Sequence, residues 1–460
     1  MTKKKAVLLL GLVIIVSGWW VLRGGSLAQP REGVLDVWTT WAGDPGQLQT
    51  LFDHYTQATG LPVNVTTGVD GRQVSKALSN STPPDVVILS SGDPVGSYQA
   101  QGLIEPLGPW IGATGIDLDD VYPATLAQCE LKDGAYACLP WGCDVYALFW
   151  NKRLFAAAGL DPERPPATME QLAAYADRLT VRDASGEIVQ IGFLPDFPRS
   201  NTDLYVRMFS GAWYSDDATA LTVNAQPAVE ALTWQRQVFD AQGSEDVQSF
   251  LGSLNYYTNS RHAVYAGRRL TCQACHRGAP ASDGKLPANG FYDGRVAMMV
   301  SGQWQVGPHH FPRLRPDLDY GVAPFPPPSA HPDRANTTVV RGPVVVIPAG
   351  VADQTAAADL LAWMMSPEIV AEVSHANASL PTSRRAAHDP RFGQIPHFDV
   401  FLDLLADPNA ASVTTSPITA ELNEALRAIE GELLHENRGD PATLLNQVQT
   451  EFSALLEEAR

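Results

Sequence analysis

Val34-Leu-Asp-Val-Trp38-Thr-Thr-Trp41-Ala-Gly-Asp44-Pro45-Gly-Gln-Leu48-Gln-Thr-Leu51-Phe52-Asp-His-Tyr55 opens on a strand, because apolar and polar positions alternate from Val34 to Trp38. Asp44-Pro45 is a helix start: an acid that can cap free N–H groups, then the residue suited to the first helical position. Leu48, Leu51, Phe52 and Tyr55 recur at helical spacing until Gly60-Leu-Pro62 stops the helix, and Pro62 to Thr67 is a second strand. Further out, a short helix is predicted from about Arg72. Pro84-Asp-Val-Val-Ile-Leu89 is a third strand, apolar enough to be buried on both faces. Strands alternating with helices predict an α/β fold with a mainly parallel sheet. In such sheets ligands bind beyond the carboxyl ends of strands, here Thr39 to Asp44 and Ser90 to Asp93.

The 460 residues exceed one ordinary core and suit two domains. A hydrophobic fraction of 45% and a charged fraction of 18% are globular proportions. The net charge of −18 argues against nucleic acid or an anionic membrane as partner, since either needs a basic face. Lys3, Lys4 and Lys5 precede an uncharged run from Ala6 to Leu22, and Ser26 and Ala28 are small residues at the positions a signal peptidase reads. Residues 1–28 are therefore expected to be a signal peptide cleaved after Ala28. The alternative is an uncleaved N-terminal anchor, as the run just reaches spanning length and Trp19-Trp20 suit an interface. Either way the body is expected outside the cytoplasm, in the periplasm or on the outer face of the cell membrane, where disulfides persist.

Lys132-Asp-Gly-Ala135 carries the Asp-Gly of a two-residue type I′ hairpin turn. Counting outward pairs Leu131 with Tyr136, Glu130 with Ala137 and Cys129 with Cys138, so a Cys129–Cys138 disulfide is expected, two buried thiols being the alternative. Of the five cysteines, Cys143 then has no assigned role. Cys272-Gln-Ala-Cys275-His276 lies in an inserted loop over 258–290 and has three readings. It is a local disulfide between Cys272 and Cys275, a metal site with a fourth ligand such as His262, or a covalent haem c attachment. Gly278, Pro280 and the Gly-, Pro- and Asp-containing run to Gly290 leave little room for a haem-burying helical domain. Nothing else in the chain requires a cofactor.

From the hairpin onward a family signature accumulates. Cys138-Leu-Pro-Trp141, Ala147-Leu-Phe-Trp-Asn-Lys152, Leu154-Phe-Ala-Ala-Ala-Gly-Leu-Asp161 and Pro165-Pro-Ala-Thr168 are followed by Phe291-Tyr-Asp-Gly-Arg-Val-Ala-Met-Met299, Ser301-Gly-Gln-Trp304, Tyr320-Gly-Val-Ala-Pro324 and Leu380-Pro-Thr382. The set resembles the extracellular solute-binding proteins typified by maltose- and glycerol-3-phosphate-binding proteins. The resemblance implies a two-lobed periplasmic-binding-protein fold of type II with the ligand cleft between the lobes. Crossings are placed near Pro140 to Asp144, Ser301 and Arg341. The amino lobe would hold 32–141 and 300–341, and the carboxy lobe 142–299 and 342–460. A final amphipathic helix is predicted with Leu444, Leu445, Val448, Phe452 and Leu455 on one stripe. The implied function is capture of a sugar or sugar-like polyol for an ABC importer, with the permease membrane subunits as partners and the protein expected to be a monomer. An exported haem c redox protein and a membrane-anchored sensor ectodomain are the alternatives on the same fold.

A polyol site needs aromatic faces for C–H surface and fixed partners for hydroxyls. Trp41 and Asp44 follow the first strand, Ser90 and Asp93 the third, and Trp141 and Asp144 sit at the first crossing. The resemblance adds Trp304, where the family carries a cleft aromatic, Arg341 at a crossing, and Asn201 in a segment that supplies contacts in relatives. Asp44 has the alternative of a helix cap and Trp141 of hinge packing, while Trp38 and Trp150 lie inside strands and are expected in the core. Ser90-Ser-Gly-Asp93 lacks the aromatics of the maltose-binding pattern, which argues against maltodextrin. A glycerophosphate would instead need a cation, with Arg199 and Arg341 the candidates. No nucleophile elbow, Walker loop, dinucleotide fingerprint or zinc-protease helix is present, so a binding protein rather than an enzyme is expected.

Overall fold

A computed structural model describes residues 33–41, 45–131, 134–254, 290–308 and 310–459. The N-terminal segment 1–28, Asp44, His262 and the Cys272-Gln-Ala-Cys275-His276 stretch lie outside the described residues. The chain divides into two compact units. Unit 1 takes in the chain up to Val121, then Cys129–Gly142 and Gly342–Asp389; unit 2 takes in Tyr122–Gln128, Cys143–Arg341 and the chain from Pro390 onward.

Unit 1 opens with β1 (Leu35–Thr39), α1 (Pro45–Thr59), β2 (Val63–Thr67), α2 (Gly71–Leu78) and β3 (Val86–Leu89). Leu48, Leu51, Phe52 and Tyr55 form the buried stripe of α1, as their spacing predicts. Asp70 and Gln73 close a capping box at the start of α2. All four residues of β3 are buried, as befits a central strand. β4 (Leu139–Pro140) and β11 (Val344–Val346) complete a sheet of order β2-β1-β3-β11-β4. β1 runs parallel to β2 and β3, but β11 is antiparallel to both β3 and β4. The mainly parallel sheet expected from the sequence is therefore a mixed one. Only strands linked by a helical crossover within the sheet are obliged to be parallel, and β11 does not enter by such a crossover.

The Cys129–Cys138 disulfide is present, with Cα atoms 5.0 Å apart, and both cysteines lie in the unit 1 core beside Val87, Val344 and Val346. The hairpin that carries them is one residue out of the expected register. Glu130 pairs with Tyr136, Leu131 N–H donates to Ala135 O, and Gly134 N–H donates to Leu131 O. The loop thus spans three residues, and Gly134 takes the left-handed conformation (φ 77°) of a bulge-closing turn rather than a position in a two-residue type I′ turn.

Unit 2 holds β5 (Tyr146–Asn151), β6 (Val181–Arg182), β7 (Ile188–Phe193), β8 (Val296–Gly302) and β9 (Tyr320–Ala323) in the order β6-β7-β8-β5-β9. β5 lies antiparallel between β8 and β9 and is buried along its whole length. A second, two-stranded sheet pairs β10 (Thr338–Val340) with β12 (Ala410–Ser412). These pairings correct the expected lobe boundaries. Residues 300–341 belong with β5 in unit 2, and 342–389 belong with β3 in unit 1. Unit boundaries fall at 142/143 and 341/342, but none falls near Ser301. In the last helix, α3 (Pro441–Glu458), Leu444, Leu445, Val448, Phe452 and Leu456 are buried, whereas Leu455 is exposed. Leu456 continues the four-residue steps of Val448 and Phe452, which Leu455 does not. Trp150 is buried and Trp38 packs on the unit 1 core, both as expected.

Candidate functional site

The antiparallel register of β5 and β8 sets Tyr146 directly opposite Gly302. Gly302 has no side chain, and the ring of Trp304 folds back into the space a side chain would fill. A Cβ on Gly302 would stand 2.0 Å from Trp304 Cζ3. The glycine two residues before the tryptophan is therefore a steric requirement. Trp304 meets Tyr146 edge to face, with ring centroids 5.8 Å apart and planes at 84°. The guanidinium carbon of Arg199 lies 5.6 Å from the Tyr146 centroid and 5.5 Å from that of Trp304, in cation–π range of both.

Gln303 turns the other way and is fully buried. Its Nε2 donates to Asp144 Oδ1 at 2.5 Å, and its Oε1 accepts from Val145 N–H at 3.2 Å. Asp144 is also fixed through its backbone: Asp144 N–H donates to Arg341 O at 2.5 Å and Arg341 N–H to Asp144 O at 3.1 Å. Desolvation pushes the Asp144 carboxyl above the ordinary carboxylate range, opposed by the Gln303 hydrogen bond and the charge of Arg199. Arg341 forms an ion pair with Asp203, which also accepts from Trp213 Nε1. Burial opposes ionisation of Asp203, yet Arg341, Trp213 and Arg207 together hold its carboxyl below the usual range.

Of the residues the sequence nominated, Asp144, Trp304 and Arg341 thus come together in unit 2. Asn201 lies beside them but is buried, and its Nδ2 donates to Arg199 O at 2.9 Å. That hydrogen bond shapes the loop that presents Arg199. In unit 1, Trp41 and Ser90 stand at the ends of β1 and β3, where Ser90 N–H donates to Thr40 Oγ1 at 2.9 Å, and Asp93 follows, half-buried. Trp141 is the clear correction. It is fully buried, stacks on Phe52 at 6.2 Å, meets Trp41 edge-on at 6.0 Å, and donates its indole N–H to Met364 O at 2.9 Å. That is a packing residue. Cys143 is buried as well, and desolvation pushes its thiol well up, away from reactivity.

Tyr146, Gln303 and Asp203 were not singled out by sequence, and Arg199 only as a source of charge. Gln303 lay inside the Ser301-Gly-Gln-Trp304 block, but nothing in its identity says that it positions Asp144. Tyr146 becomes visible only through its register with Gly302. Among the described residues no group of three or more His, Cys, Asp or Glu side chains is placed to hold a metal, and no helix is long and apolar enough to cross a membrane.

Two α/β units joined by chain crossings define the fold of two-lobed solute-binding proteins. CpMnBP1 with mannotriose bound matches 91% of this chain and 100% of its own at a TM-score of 0.74 and 23% identity. Residues 50–399 match the bacterial extracellular solute-binding protein family, and the chain belongs to that family. A maltotriose-binding protein of Pyrococcus abyssi is 22% identical over 315 residues, 68% of this chain and 58% of the relative. An sn-glycerol-3-phosphate-binding periplasmic protein of Yersinia pestis is 34% identical over 92 residues, 19% of this chain and 21% of the relative. The matched region therefore spans less than two thirds of the length of either relative.

Proposed function

We propose that the chain is the extracytoplasmic solute-binding component of an ABC importer and that its ligand is a sugar or sugar-like polyol. The observation that carries this reading is the wall of unit 2. Two aromatic rings set at 84° are flanked by a fixed carboxylate and a guanidinium, the combination that covers C–H surface and engages hydroxyls. Trp41, Ser90 and Asp93 at the strand ends of unit 1 are the remaining candidate contacts. Capture requires no chemistry on the solute, in keeping with relatives named as binding proteins. Under this reading the protein works as a monomer and is exported by its N-terminal segment. Closing about the crossings at 142/143 and 341/342, it presents the loaded form to the permease membrane subunits.

The test is a thermal-shift screen against mono- and oligosaccharides, polyols and glycerol phosphates, since a solute bound only by the native state raises the melting temperature. Calorimetry on Trp304→Ala follows, with an expected loss of affinity of about tenfold or more in a protein that still folds. The reading fails if no solute shifts the melting temperature. Unchanged affinity in Trp304→Ala removes the unit 2 wall from the site.

A further inference from the structure

The wall of unit 2 carries more hydrogen-bond donors than acceptors. Arg199 is held over two aromatic rings, and its guanidinium N–H groups meet no acceptor among the described residues, its backbone carbonyl alone being engaged, by Asn201. Neither the Trp304 indole N–H nor the Tyr146 hydroxyl has a hydrogen-bond partner among the described residues; both rings have aromatic and cation–π contacts only. The other two cations of the cluster are accounted for. Arg341 pairs with Asp203, and Arg207 lies beside the same carboxylate and donates to Ser412 O at 2.5 Å. On the acceptor side stands Asp144, with one carboxylate oxygen already taken by Gln303. Two arginines against Asp203 and a third against a partly engaged Asp144 leave the cluster short of negative charge and of lone pairs.

A neutral polyol remedies this poorly. Its hydroxyls accept hydrogen bonds but bring no charge, so closing them over Arg199 offsets less of the cost of desolvating a guanidinium than an oxyanion would. A phosphoryl or carboxylate group supplies both the charge and several lone pairs, and a guanidinium fork matches it with parallel N–H···O bonds. Of the two rings that flank Arg199, Trp304 is only half-buried and leaves surface for the C–H groups attached to that oxyanion, whereas Tyr146 is buried and supports it from within the fold. The chain's net charge of −18 does not oppose this, because repulsion from distant exposed charges is screened beyond about 8–10 Å at ordinary ionic strength, whereas the contact with Arg199 is local.

We propose that the solute is an anionic polyol whose oxyanion, phosphoryl or carboxylate, is received by Arg199 against Tyr146 and Trp304. This rests on the solute-binding reading above and narrows its substrate class. The test is calorimetry with two anionic probes, glycerol 3-phosphate and digalacturonate, and their uncharged counterparts, glycerol and galactobiose. At least one anionic probe is expected to bind about tenfold or more tighter than its counterpart, with affinity falling as salt rises. The probe that binds identifies the oxyanion as phosphoryl or carboxylate. Arg199→Gln should erase the preference, and Arg199→Lys, which keeps the charge but not the fork, should retain part of it. The salt dependence of the unmodified protein reports on the same contact if Arg199→Gln does not fold.

Binding of the neutral probes alone, equal binding of charged and neutral probes, or tighter neutral binding in Arg199→Gln would overturn the proposal. In the last case the guanidinium merely occupies the aromatic platform. Each of these outcomes leaves the solute-binding reading standing. That reading falls only if the wider solute screen is silent too.

Discussion

Replacing Gly302 by alanine tests the steric logic of the wall directly. Its backbone, at φ −96° and ψ 173°, is open to any residue, so alanine imposes no conformational strain. On a strand, removing a glycine is by itself mildly favourable, by about 0.5–1 kcal/mol. The new Cβ, however, would lie 2.0 Å from Trp304 Cζ3, 2.4 Å from Cε3 and 2.5 Å from Cη2, where carbon atoms need about 3.5 Å or more. The ring must therefore leave. It then forfeits its edge-to-face contact with Tyr146, worth about 0.5–1.5 kcal/mol, and its share of the Arg199 stack, worth about 0.5–1 kcal/mol. Gly302→Ala should thus lower stability by up to about 2 kcal/mol once the favourable backbone change is set against these losses. Urea unfolding followed by far-ultraviolet circular dichroism on the wild type, Gly302→Ala, Trp304→Ala and the double variant completes a cycle. In the Trp304→Ala background the clash is absent, and Gly302→Ala should be neutral or slightly stabilising. An equal loss in both backgrounds would refute the steric account.

Asp144→Asn keeps an acceptor for Gln303 and removes a buried charge. Because the folded carboxyl titrates above its unfolded value of about 3.8, its favourable contribution is present at low pH and fades as pH rises through the folded value. The variant should equal or exceed the wild type in melting temperature at pH 7 and lose that part of the pH dependence; a clear drop at pH 7 would contradict the reading. Asp203→Asn works in the opposite sense: the contribution of Asp203 is present above about pH 3.8 and disappears as pH falls through its lower folded value. It should cost about 1.5–3 kcal/mol at pH 7 and little in strong acid, as chemical denaturation across pH would show. Cys129→Ala/Cys138→Ala opens a loop with a sequence separation of 9, for an expected loss of about 2–3 kcal/mol measurable by thermal denaturation, and an unchanged melting temperature would count against it.

The features legible in the sequence were those written in local periodicity. β1, α1, β2 and β3 follow from alternation, an i, i+3, i+4 stripe and turn residues, all within neighbouring residues. The strand assignments that failed depend on long-range pairing. β11 joins β3 across more than half of the chain, and β8 joins β5 across the inserted loop, so no local pattern states which unit receives them. The hairpin register slipped for a subtler reason. Asp133-Gly134 suits a two-residue turn and a three-residue turn alike, and only the hydrogen bonds of Leu131 decide between them. Arg199 carried no local signal, because its role is made by two rings contributed from β5 and from the turn after β8.

The tryptophans show what separates a site residue from a core residue when both are built by the same device. Trp150 and Trp304 each lay a ring into the space left by a glycine, Gly321 in the first case and Gly302 in the second. Trp150 is nevertheless buried, with its indole N–H donated to Pro162 O at 2.9 Å, and Trp141 is buried with its N–H on Met364 O. An indole enclosed by protein is favoured when it finds an acceptor within it, because an unmatched buried N–H costs about 1–3 kcal/mol; Trp363, buried with its N–H unmatched, is the exception among these tryptophans. Trp304 is only half-buried and its N–H meets no acceptor among the described residues, so it keeps one face and one donor for something outside the fold. Sequence can place a tryptophan after a glycine or after a crossing, but where its N–H ends is a property of the whole chain. On that criterion Trp304, and not Trp141, is the aromatic proposed to meet the solute.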